Sequence, residues 1–355
     1  MRPVPDVAAG QRAVFTVAQA RAAGWTRSAM RHAVSCGDLV VLRPGVLARP
    51  AEPTGFSWLD ERDRHARAAA AALLGRPRSL ASHCAAAVLM DLPVLEVPEV
   101  PCLTVLPSHS GAVRGVHLHR TRLDAGDPGR LRGLRLTMPA RTVVDIARER
   151  GVVAGVVTAD GALQRGLLTA RELKLAVRAA AGRAGVERAR AAAALADGRA
   201  ESALESRSRL AIADAGLPPP DLQPDIFVDG RFAGRVDFYW DEFGVIGEAD
   251  GWEKYKAGWE RIRDEKRRQE QLERGRLIVV RWGSDDLASF APVTGQVAGR
   301  LHARPGRWSP RTSLDRPDVR AADASIQLTA TAVQILGRPT IYPWASVILT
   351  STPTG

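Results

Sequence analysis

The sequence predicts an α+β, multidomain protein: a winged helix-turn-helix, then a mixed helical middle region, then a compact α/β domain. Three observations predict it. Two capped helices and a β-rich hairpin open the chain. A helical periodicity broken by glycines fills the middle. Behind it, short apolar runs alternate with charged helical ones. With 355 residues, 45% hydrophobic and 25% charged, the chain is globular in composition and long enough for two or three domains.

The elements follow in order. Thr16 can cap a helix to Ala23, stopped by Gly24, and Thr26 can cap a second, Arg27 to Ser35, stopped near Gly37. Leu39 to Leu42 is β-rich, Arg43-Pro44-Gly45 is a turn, and Val46 to Ala48 returns. This is the pattern of a winged helix-turn-helix, assigned to residues 1–50. Residues 51–200 predict helices Asp60 to Leu74 and Ser79 to Met90, then strands Pro101 to Leu106 and Gly115 to Arg120. From Pro139 to Ala196 the periodicity is helical, interrupted at Gly151, Gly166 and Gly182, and Asp197-Gly198 reads as a linker. Residues 201–303 predict a helix from Glu201 to Ala215 and strands Ile226 to Asp229, Phe232 to Trp240 and Gly244 to Asp250. A charged helix Tyr255 to Arg274, a strand Arg276 to Trp282 and a helix Ser289 to His302 complete them. The order α-β-β-β-α-β-α predicts a central sheet flanked by helices. Residues 304–355, rich in Ser, Thr and Pro, read as a poorly ordered tail.

Composition excludes several classes. No apolar run approaches the roughly 18 residues of a membrane span, and residues 1–11 lack the apolar segment of a secretory signal. Cys36, Cys84 and Cys102 include no close pair, which argues against a disulfide framework and a four-ligand zinc site, and for a reducing cytoplasm. The net charge of +11 is uneven: +5 over residues 1–50, +7 over 51–200, −2 over 201–308 and +1 over 309–355. A basic front points to nucleic acid. Of 50 basic residues only four are Lys, and Lys254, Lys256 and Lys266 fall within thirteen residues. A site that needs an ammonium would concentrate lysine in this way.

The chemistry-bearing segment runs from Val236-Asp237-Phe238-Tyr239-Trp240 to Glu248-Ala249-Asp250-Gly251. Glu248 and Asp250, two residues apart on one strand, share a face, and a short turn sets Asp237 across from Glu248. Carboxylates converging on one face repel unless a cation neutralises them, and an all-oxygen site suits Mg2+. Glu205, on the preceding helix, adds a further carboxylate, with Arg209 one turn on as its partner. Lys254 and Lys256 are alternative phosphate-binding or water-orienting amines. In the following helix Trp259, Ile262, Gln269 and Leu272 mark one stripe that also takes Glu265 or Lys266. A solvated carboxylate pair is the ordinary alternative for Asp237 and Glu248. In the second N-terminal helix Ala29, Met30 and Val34 face the core, whereas Arg27, Ser28, Arg31 and His32 are exposed and suited to base edges or phosphates; Arg43 on the wing can reach the backbone. His83 and Cys84, adjacent on a helix, face about 100° apart and read as buried residues rather than a dyad.

Phe15-Thr16-Val17-Ala18-Gln19-Ala20 through Arg43-Pro44-Gly45-Val46-Leu47-Ala48 resembles the winged-helix domain of AbiEi-type antitoxins of type IV toxin–antitoxin systems. Ser82-His83-Cys84-Ala85-Ala86-Ala87 and Pro139-Ala140-Arg141-Thr142-Val143-Val144-Asp145 resemble the antitoxin-like domain that follows it. Glu205, Gly234-Arg235-Val236-Asp237-Phe238, Gly247-Glu248-Ala249-Asp250-Gly251, Lys254-Tyr255 and Val279-Val280-Arg281-Trp282 resemble a very-short-patch-repair-endonuclease-like domain of the PD-(D/E)XK nuclease superfamily. That resemblance implies a restriction-endonuclease-like fold for residues 201–303. It implies metal-binding roles for Asp237 and Glu248, with Asp250 beside them, and catalytic roles for Glu205, Asp237, Glu248, Asp250 and Lys254. Asp250 stands where the superfamily motif has Lys, so Lys254 is the replacement amine and cleavage is left open.

Three functions are then expected. The first is a cytoplasmic, DNA-binding AbiEi antitoxin-like regulator with a nuclease-like C-terminal domain. The second is a Mg2+-dependent endonuclease targeted by the winged helix. The third is a non-catalytic antitoxin that neutralises a cognate toxin protein. DNA is the partner of the first two, and no membrane is expected.

Overall fold

The computed structural model describes residues 3–105, 114–250, 268–302 and 350–351. Its architecture is mixed α and β, as the predicted α+β class requires. Among the described residues, no helix is long and apolar enough to cross a membrane.

Near the N-terminus, strand Val14–Thr16 leads into helix Val17–Ala22, helix Arg27–Ser35 and the hairpin Val40–Arg43 and Val46–Ala48. Both predicted caps form. Thr16 Oγ1 accepts from Gln19 N at 3.1 Å, while Gln19 Oε1 accepts from Thr16 N at 2.8 Å, a reciprocal capping box. Thr26 Oγ1 accepts from Ala29 N at 3.1 Å. Strand Val14–Thr16, which the sequence reading leaves unassigned, pairs with Val46–Ala48 and makes a three-stranded sheet. Phe15, Trp25, Met30, Ala33 and Leu47 form one small core. Val14, Val46 and Ala48 instead pack into the core of the middle region, so burial is continuous across residue 50.

The middle region sets helices against a six-stranded sheet. Its order is Thr350–Ser351, Pro128–Leu131, Leu134–Thr137, Leu80–Ala81, Cys102–Val105 and His117–Arg120. Several sequence expectations are corrected here. The helix predicted from Ser79 begins at His83, because Leu80 and Ala81 are central sheet residues that pair with Thr104, Leu103 and Leu136. Pairing on both sides satisfies more backbone than one extra helical turn would. The hairpin Pro128–Leu131 and Leu134–Thr137 has no counterpart in the sequence reading. Its turn at Arg132-Gly133, with φ of 50° and 84°, lacks the usual Asn-Gly signal. The later helices match expectation: Pro139–Arg150, Val152–Gln164, Ala170–Ala179 and Val186–Leu195. Gly151, at φ 97°, lets one helix end and the next begin with no intervening loop. The Asp197-Gly198 junction is packed rather than loose: the side chain of fully buried Asp160 accepts from Asp197 N at 2.7 Å and from Arg209 at 2.9 Å. Arg209 therefore pairs with Asp160 and not, as the sequence suggested, with Glu205.

In the C-terminal region, helix Ala203–Asp214 packs against a sheet ordered Ile278–Trp282, Val245–Ala249, Phe238–Trp240, Asp221–Leu222. Ile278–Trp282 runs parallel to its neighbour and the other pairs are antiparallel. Helix Ala291–His302 covers strand Ile278–Trp282. The strand predicted from Phe232 to Trp240 is two strands, and the chain changes sheets at Val236-Asp237. Arg231–Arg235 pairs with Asp225–Val228 in a separate hairpin. Of the predicted charged helix, residues 268–274 are helical, and Lys254, Lys256, Trp259, Ile262, Glu265 and Lys266 lie outside the described residues. So does the predicted tail, except for Thr350 and Ser351, which pair with Arg130 and Gly129.

Candidate functional site

The carboxylates of the C-terminal region occupy the ends of two neighbouring strands and the start of one helix. Phe238 pairs with Gly247, so the antiparallel register extends to place Asp237 opposite Glu248, as expected. Gly247 is required there: a Cβ would lie 2.5 Å from the Trp282 ring. That close approach lets Trp282 and Phe238 stack at 5.5 Å beneath the acids. Asp237 stands where the chain changes sheets. One of its oxygens accepts from Ala249 N at 2.9 Å and the other from the Gln223 amide at 3.2 Å.

Glu205 stands in the first turn of helix Ala203–Asp214, where a carboxylate meets the positive end of the helix dipole. Its oxygens accept from Glu201 N at 2.7 Å, Ser202 Oγ at 2.8 Å and Gln223 Nε2 at 2.8 Å. Gln223 thus bridges Glu205 and Asp237. Burial, with the Asp237 charge adding to it, pushes the Glu205 carboxyl up to about 7.

Glu248 is 2% exposed and sits between two guanidiniums. Arg268 donates to one oxygen at 2.5 Å and Arg281 to the other at 2.8 Å. Arg281 also lies 3.7 Å from Asp250, whose backbone N–H donates to Trp282 O at 2.8 Å. Glu248 and Asp250 therefore do share a face, and the cation between them is an arginine. The donor chemistry of Glu205, Asp237, Glu248 and Asp250 suits Mg2+ in kind. Their placement does not, because Glu248 is already neutralised by two side chains. Lys254 lies outside the described residues.

Arg27, Ser28, Arg31 and His32 are all exposed on helix Arg27–Ser35, whose opposite side buries Met30 and Ala33. Arg43 differs: its guanidinium donates to the carbonyls of Arg114 at 3.2 Å and Gly115 at 2.7 Å, and so holds the hairpin to the middle region.

The sequence reading missed Gln223, Arg268 and a second cluster. Arg281 stood within a quoted segment but had no assigned role. Cys102, His117, His119 and Glu149 bring one ligand atom each to within 4.8 Å of one another. The only hint was the two-residue spacing of His117 and His119, which sets them on one strand face. His83 is buried, as expected, and its ring stacks on His119 at 3.8 Å. Burial holds His83 well below the usual imidazole range, lowers His119, and pushes the Cys102 thiol up to about 12.

No family model matches the chain. Over 150 residues, 42% of its length, it is 38% identical to two Mycobacterium tuberculosis sequences, "Uncharacterized protein Rv2248" and "Uncharacterized protein MT2308". The match covers 55% of each, so the chain spans about half the length of the curated relatives it matches.

Proposed function

We propose that this protein is a DNA-binding regulator of the AbiEi antitoxin-like class, with a winged helix-turn-helix that reads DNA and a nuclease-like C-terminal domain. The observation that carries this reading is helix Arg27–Ser35. It turns Arg27, Ser28, Arg31 and His32 to solvent and is anchored by Met30 and Ala33. Arg and Ser are the side chains expected at phosphates and guanine edges. The positive balance of the first 200 residues supports it, since phosphate neutralisation supplies most non-specific DNA affinity. In this class the protein partner is a cognate toxin.

The test is fluorescence anisotropy with duplex DNA over a salt series. Arg27→Ala with Arg31→Ala should weaken binding and reduce the slope of log K against log salt by about 2. Binding and slope equal to wild type would place the DNA contact elsewhere.

A Mg2+-dependent endonuclease is the second reading, favoured by the Glu205–Gln223–Asp237 bridge at the strand ends. Its weakness is Glu248, whose two oxygens are taken by Arg268 and Arg281. Plasmid incubated with Mg2+ separates the two. Nicking abolished by Asp237→Ala or Glu248→Ala establishes the nuclease, and intact plasmid leaves the regulator.

A further inference from the structure

The middle region carries a cluster that DNA binding does not use. His117 and His119 stand on one face of strand His117–Arg120, which forms one edge of the six-stranded sheet. This strand runs parallel to Cys102–Val105, with Cys102 beside His117 and Thr104 beside His119. Glu149 comes from the last turn of helix Pro139–Arg150, across from that edge. We propose that Cys102, His117, His119 and Glu149 bind one zinc ion in a closed structural site.

The donor set decides the metal. One thiolate, two imidazoles and one carboxylate suit a borderline-soft ion that accepts four ligands tetrahedrally. Mg2+ prefers oxygen alone and keeps waters, so it does not fit this set. Zinc–ligand bonds of about 2.0–2.3 Å place tetrahedral ligands roughly 3.3–3.8 Å apart. The four atoms lie within 4.8 Å, so small side-chain rotations close the site.

A second observation points to a ligand. His119 Nε2 is shut away from solvent with no hydrogen-bond partner among the described residues, 3.5 Å from Glu149 Oε2. A buried polar atom left in this state needs an explanation, and a metal ion supplies one. His83 acts as a positioning residue. Its Nε2 lies 3.3 Å from Glu149 Oε2, its Nδ1 lies 3.0 Å from Ser82 Oγ, and its ring covers His119. On binding, the Cys102 S–H proton leaves to solvent as the sulfur–zinc bond forms. The ion ties an edge strand to a helix that no backbone hydrogen bond can reach from it.

Cobalt tests this on the 355-residue chain. Chelator-treated, desalted protein should take up one equivalent of Co2+ with tetrahedral visible bands and a near-ultraviolet thiolate-to-cobalt band, and Zn2+ should displace it. Cys102→Ser should lose the near-ultraviolet band. His117→Ala, at an exposed position, should weaken uptake at least about tenfold. Asp237→Asn with Glu248→Gln should leave uptake unchanged, which separates this site from the nuclease reading. Wild type that takes up no Co2+, or a near-ultraviolet band that survives Cys102→Ser, overturns the proposal.

Discussion

The C-terminal sheet buries Glu248 between Arg268 and Arg281, whereas the middle region sets buried His83 and half-buried His119 against Glu149. In the first region a carboxylate is held between two guanidiniums of opposite charge. In the second the imidazoles stay neutral because burial removes the solvent that would favour the cation. The contrast shows that buried titratable clusters in one chain need not do the same work. An ion-paired carboxylate has its charge satisfied from within the protein. A neutral imidazole keeps a lone pair to offer a metal.

The largest effect should come from stripping the cations from Glu248. Arg268→Ala with Arg281→Ala removes two guanidinium partners from a buried carboxylate, at a cost of about 3–5 kcal/mol. Urea unfolding would read it, and adding Glu248→Gln should recover much of the loss. No recovery would mean that the arginines matter through packing.

A pH series should divide the regions next. Glu205 is raised in the fold from 4.5 to about 7, so its burial costs nothing below pH 4.5. The cost grows between pH 4.5 and 7 and is complete above, up to about 3 kcal/mol. Glu205→Gln should remove that slope from stability against pH. The middle region should respond with the opposite sign. His65 on helix Ser57–Leu74 donates through Nδ1 to Pro98 O at 2.8 Å, and burial lowers it from 6.5 to about 4. Its contribution is full above pH 6.5 and is lost as pH falls towards 4, again up to about 3 kcal/mol. His65→Gln should flatten that acid limb, and a Glu205→Gln protein should retain it. Two slopes of the same sign would dissolve the distinction.

The smallest effect belongs to Gln223. Gln223→Ala removes the amide between Glu205 and Asp237, and should cost about 1–2 kcal/mol by the same unfolding assay. It should also push the Glu205 slope to higher pH. An unmoved slope would show that the bridge does not couple the two acids.

Much of the fold could be read along the chain because its causes are local. Thr16 and Thr26 cap their helices through atoms three residues away, and Gly151 breaks a helix by its own backbone angle. The shared face of Glu248 and Asp250, and their position across from Asp237, follow from strand periodicity and a short turn. The misreadings sit where distant pairing overrides local preference. Leu80 and Ala81 leave a helix for a sheet, and Phe232 to Trp240 splits between two sheets.

The sequence by itself determined the mixed α and β character, the capped helices of the front, the glycine breaks between the later helices of the middle, the exposed face of Arg27, Ser28, Arg31 and His32, and the neighbourhood of the acids. These depend on spacing, capping and turns, all within a few residues. Only the tertiary structure decided that Arg209 meets Asp160, that arginines neutralise Glu248, and that Cys102, His117, His119 and Glu149 converge. Those contacts join helices and strands that lie tens of residues apart in the chain. No periodicity spans such a distance, because partner choice there is set by which surfaces the packed sheet and helices bring together.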